Sequence, residues 1–162
     1  MTDRKGARSD APAREDGLAL LHRRFGWSTL LAWMTGGMVL ELFHGWKLGT
    51  YLLDPLRREM WTLAHFHGAL LSVLNLVYVR WAESPGLSMG QRMLASRALI
   101  AGSVLLPLGF VLGGLQHYEG DPGVGIFLAP VGAAALLVAV VVQWRAAWSP
   151  ASGTPGGNTP AS

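Results

Sequence analysis

Residues 25–44, 61–81, 93–116 and 124–144 are four apolar segments that carry at most one acidic or basic residue each. A helix needs about 20 such residues to cross roughly 30 Å of hydrocarbon. Inside lipid the backbone must satisfy its own hydrogen bonds, which leaves helices as the way for such segments to fold. The pattern predicts an all-α integral membrane protein, a four-transmembrane-helix bundle in a single domain over 25–148. Tryptophans mark the span ends at Trp27, Trp46, Trp61, Trp81, Trp144 and Trp148, as interfacial anchors do. Trp33 is the exception, lying inside the first span.

The flanks differ in kind. Residues 1–24 mix six basic and four acidic side chains around Pro12 and are expected to be a disordered cytoplasmic tail. Residues 149–162 are Pro, Gly, Ala, Ser, Thr and Asn without charge, a flexible tail. No small-residue cleavage site follows the first apolar run, so it is expected to be retained as a span rather than removed as a signal peptide. Lysine and arginine set the orientation. With the amino terminus inside, the tail, Arg80, Arg92, Arg97 and Arg145 place ten basic residues on the cytoplasmic side, against Lys47, Arg57 and Arg58 outside. Both termini are therefore expected in the cytoplasm of a bacterial-type inner membrane.

Composition narrows the chemistry. Cysteine is absent, which excludes disulfides, thiolate metal sites, iron–sulfur clusters and covalent c-type haem. The net charge of +3 comes from residues that flank spans and form no patch, so lipid and not nucleic acid is the expected partner. There is no P-loop, no dinucleotide fingerprint, no Gly-x-Ser-x-Gly and no His-Glu-x-x-His.

The polar residues within and beside the spans carry the functional reading. An ionisable group in a span is costly and faces a partner or a cavity. Glu41, His44, His65, His67 and His117 all fall at the outer ends of their spans. Gly37, Glu41 and His44 share one helical face, as do Gly109, Gly113 and His117, while His65 continues the stripe of Gly68, Ser72 and Asn75. His67 lies about 200° away from that stripe, since each residue turns roughly 100°.

These three faces predict a cluster of Glu41, His44, His65 and His117, with His67 as a further candidate. Imidazoles and a carboxylate suit a metal ion, and two opposed imidazoles among His44, His65 and His117 suit a b-type haem. Glu119 and Asp121 are candidates for a supporting role or for plain solvated charges. The plainer expectation for His44, His67 and His117 is interfacial, for His65 a packing partner of Glu41, and for His22, beside Arg23 and Arg24, the surface. The GxxxG of Gly109 and Gly113 offers a face for a second copy or a larger membrane complex. Pro107 and Pro130 are expected to kink their spans.

Asp54-Pro55 with Arg57, followed by Ala64-His65-Phe66-His67-Gly68 and an apolar helix, resembles the Asn-Pro-Arg and Ala-His-x-x-Gly pattern of the small four-span hydroxylaminobenzene mutases. The resemblance covers residues 54–81, with Asp54 in place of the asparagine. It implies an intramolecular hydroxyl shift on an arylhydroxylamine, with Arg57, His65 and Gly68 carried over. Three functions therefore compete: a redox or metal-binding membrane protein; a mutase-like isomerase using His65, with Arg57 or Glu41 orienting substrate; and a noncatalytic subunit or transporter component.

Overall fold

The computed structural model describes residues 6–81, 87–118 and 120–148, with side chains described from residue 17 onward except Trp81. Helix α1 spans Gly6–Gly45, the short α2 Gly49–Leu52, α3 Pro55–Trp81, α4 Met89–Leu115 and α5 Leu128–Ala147. A 3₁₀ turn over Val124–Phe127 leads into α5. Three helices are long and apolar enough to cross a membrane: α3, α4, and the continuous Val124–Ala147 segment. The expected tail at 149–162 and Glu119 lie outside the described residues.

The four long helices stand in chain order as a row. α1 packs on α3, α3 on α4, and α4 on α5; α1 also touches α4, while among the described residues α1 and α5 do not meet. Short connections pair each helix with its chain neighbour, and small residues let the pairs approach closely. A Cβ at Gly109 would lie 2.5 Å from the backbone nitrogen of Ala129. One at Gly132 would meet the backbone of Leu106. The glycine face expected to dock a partner is therefore occupied by α5 of the same chain.

Local signals fix the element ends. Ser88 accepts from the Gln91 amide and the Gln91 side chain accepts from the Ser88 amide, a reciprocal cap that starts α4. Lys47, at φ 52°, makes the left-handed turn that ends α1 and leads into α2. Pro130 sits in the first turn of α5, where its missing N–H costs no intrahelical bond; α4 continues through Pro107.

α1 begins well before the expected span. It is helical from Gly6, and Ala19 and His22 are buried. His22 is the fully buried centre of a polar network and not the surface residue its arginine neighbours implied. Its Nδ1 lies 2.7 Å from Asn75 Oδ1 and its Nε2 2.8 Å from Ser96 Oγ. Asn75 donates its amide hydrogens to Leu71 O and Ser103 Oγ, each at 2.8 Å. Its oxygen can only accept, so Nδ1 of His22 carries the hydrogen, and a neutral ring then accepts from the Ser96 hydroxyl at Nε2. The Tyr78 ring packs at 4.4 Å, and its hydroxyl donates to Arg92 O at 3.1 Å.

This network joins α1, α3 and α4 where lipid supplies no hydrophobic drive between helices. Asn75→Leu should destabilise the folded protein by about 1–3 kcal/mol, because it leaves the His22 N–H buried and unmet. The denaturation midpoint in detergent reads this directly, and an unchanged midpoint would remove the network from the forces holding α1 to α3.

Candidate functional site

The stripe read on α3 faces α1. A Cβ at Gly68 would run into the Trp33 indole, which explains a tryptophan in mid-span. Ser72 and Thr29 hydroxyls meet at 2.8 Å. His65 lies over Gly37, where a Cβ would come within 2.8 Å of its Nε2. Nδ1 of His65 is 2.8 Å from the Trp33 carbonyl oxygen. A carbonyl can only accept, so Nδ1 carries the hydrogen, and Nε2 has no protein partner among the described residues. Fixing one ring nitrogen in this way prepares the other as a base or ligand.

Beside His65 is an apolar cleft of about 240 Å³ between the second half of the α1 span and the first half of α3. Its walls are Trp33, Phe43 and Trp61 with Val39, Leu40, Ala64 and Val111; His65 is also among the lining residues, though the surface lining the cleft is apolar and its Nε2 lies over Gly37. Gly36 lines the same cleft and has open space where a side chain would be. Trp61 is held by its indole N–H, which donates to Val111 O at 3.2 Å, and by stacking on Tyr51 with centroids 6.1 Å apart. Tyr51, from α2, is fully buried against Phe43, His44 and Trp61, two of which line the cleft.

Arg57, Trp61 and His65 recur at four-residue intervals on one face of α3, yet Arg57 does not reach the cleft. Its guanidinium lies 5.8 Å from the Trp61 ring centroid and donates to Thr50 O at 2.8 Å, Gly114 O at 3.1 Å and Leu115 O at 3.4 Å. The last two are end carbonyls of α4, which lack intrahelical partners and attract a cation. The expected substrate-orienting arginine is a tie between the start of α3 and the end of α4.

Asp54 completes that tie. One oxygen accepts from the Arg57 backbone N–H at 2.9 Å, and the other lies 2.7 Å from His117 Nε2. The Arg57 amide is the main cause holding the Asp54 carboxyl below its ordinary range; burial opposes it, and the His117 hydrogen bond and charge and the Arg57 guanidinium add to the lowering. The aspartate that departs from the mutase pattern is therefore what captures His117.

The remaining candidates stand apart. Glu41 is exposed on α1. His44 is exposed, with Nδ1 3.2 Å from Leu40 O and its ring edge-on to Tyr51. His67 turns away, as its angle on the helix implied: Nδ1 is 2.8 Å from Leu63 O and the ring packs 5.1 Å from Phe110. Asp121 is exposed in the loop. Among the described residues no three His, Cys, Asp or Glu side chains are placed to hold a metal ion. The metal site expected of Glu41, His44, His65, His67 and His117 is therefore not supported among the described residues.

Sequence reasoning missed Asp54 and His22 as partners of other elements. The signal for His22 was present: His22, Gly26, Thr29, Trp33 and Gly37 recur every three or four residues, continuing the inward face of α1 below the assigned span. Comparisons with protein families, curated proteins and solved structures give no significant match.

Proposed function

We propose that the chain is a four-span protein of a bacterial-type inner membrane that takes a small, flat, largely apolar molecule into the α1–α3 cleft and moves a proton on it with His65. The observation that carries this reading is the imidazole with Nδ1 tied to the Trp33 carbonyl on the wall of an aromatic-lined cleft.

The fourth span is α1. Its Gly37, Trp33 and Gly26 meet His65, Gly68 and Leu76 of α3 in turn, so α1 runs antiparallel to α3 at the same depth. Both termini then lie on the cytoplasmic side, where the basic residues concentrate. In intact cells an impermeant thiol reagent should label a cysteine placed at Asp121 and spare one at Ser9. The reverse labelling would invert the topology.

The mutase resemblance supplies the substrate class, an arylhydroxylamine. Its isomerisation breaks the N–O bond, forms a C–O bond on the ring, and moves one ring proton to nitrogen, so the aminophenol formed has the same atoms. His65 Nε2 would accept that ring proton and return it to nitrogen. The aromatic walls would hold the ring and exclude water. Purified protein in detergent should convert hydroxylaminobenzene to an aminophenol without an added cofactor. Gly36→Leu should fill the cleft and abolish both binding and turnover while leaving the denaturation midpoint close to wild type, since open space surrounds that position. A wild-type protein that neither binds nor converts the compound would end this reading.

A further inference from the structure

Tyr51 of α2 is the largest fully buried side chain among the described residues, 1% exposed, yet its hydroxyl closes no hydrogen bond with them. Its ring packs on Phe43 and Trp61, with centroids 5.7 and 6.1 Å away, and meets His44 edge-on at 5.1 Å. Phe43 and Trp61 are the cleft-lining residues of α1 and α3 nearest in sequence to the connection that carries α2. Tyr51 is therefore wedged against both walls at that end of the cleft. The ring gains from leaving water, whereas the unmet hydroxyl loses what water supplied.

The segment that carries this side chain is slight. α2 has four residues and no side-chain cap at its start, and among the described elements it touches α1 and α3 alone. Residues 44–50, which lead into it, are exposed, and the left-handed turn at Lys47 falls between Gly45 and Gly49. Two arginines of α3 hold the segment by its carbonyls, Arg57 donating to Thr50 O at 2.8 Å and Arg58 to Leu52 O at 3.3 Å. Water can replace bonds of this kind at small net cost, and elements with few buried contacts open locally before a protein unfolds.

We propose that α2 is a hinged strap over the cleft with Tyr51 as its plug, and that the unmet hydroxyl keeps a lifted state, in which it is hydrated, within reach of the closed one. Its purpose rests on the cleft being the binding site proposed above, but the motion belongs to the empty protein and is measured without substrate. The chain has no cysteine, so Ala64→Cys, on the cleft wall and 1% exposed, supplies a single thiol. Protein in detergent is treated with a charged, water-soluble methanethiosulfonate, and the labelling rate reads how often the strap lifts. The thiol at position 64 should react faster than one placed by Ala95→Cys, a fully buried site on α4 that only unfolding exposes. Adding Tyr51→Phe keeps the ring and deletes the hydroxyl, so it should slow labelling at position 64 by about 5- to 150-fold, the span set by one buried unmet group. A rate unchanged or raised by Tyr51→Phe, as for a hydroxyl already met by an enclosed water, would overturn the proposal, as would a position-64 thiol no faster than that at position 95. A protein that labels as expected but neither binds nor converts hydroxylaminobenzene would keep the strap and lose the function proposed for the cleft.

Discussion

His65→Gln should lower the turnover number on hydroxylaminobenzene about 10²- to 10⁴-fold, the usual contribution of a positioned general base or acid. Glutamine has comparable reach and can still donate to the Trp33 carbonyl, so the contact between α1 and α3 is kept while the titratable nitrogen is lost. KM should change little, because the three aromatic walls that hold the ring are untouched. A packing role predicts a different result, with turnover retained and the denaturation midpoint lowered. His67→Gln is the control, since its ring lies against Phe110 and away from the cleft. Equal losses in the two variants would move the chemistry away from His65.

Gly109→Leu should destabilise the protein by about 3 kcal/mol or more, at the upper end of what overpacking costs. The neighbours of a Cβ at Gly109 are the backbone nitrogen, Cα and Cβ of Ala129 at 2.5 to 3.0 Å, so no flexible side chain can give way. α5 would have to lift from α4, opening the contact that Gly132 and Leu106 also make. The midpoint in detergent and the protease sensitivity of the α5 end measure this. A variant that keeps its midpoint but loses a copurifying protein would restore the expected docking face.

The candidate site was legible in part because its residues obey helix geometry. His65, Gly68, Ser72 and Asn75 lie on one face of α3 whatever packs against them, and that face is buried against α1. The separation of His67 from that face also follows from the angle per residue alone. The cluster expected around Glu41 did not follow, because a shared depth fixes one coordinate and leaves the facing direction open. His44 and Glu41 lie on exposed parts of α1, and His117 is turned toward Asp54.

The sequence by itself determined the apolar helices, their lengths and the inward stripe of α3, since these depend on local composition and a period of 3.6 residues. The order of neighbours also follows from short connections. Only the tertiary structure decided that the GxxxG face receives α5 and that His22 is buried beneath two exposed arginines. It also decided that Arg57 closes the end of α4 and that an aromatic cleft forms beside His65. Each of these depends on which side of one helix meets which side of another. That choice is made by close contact at a few glycines and by pairing of buried polar groups, interactions between residues dozens of positions apart that no local pattern encodes.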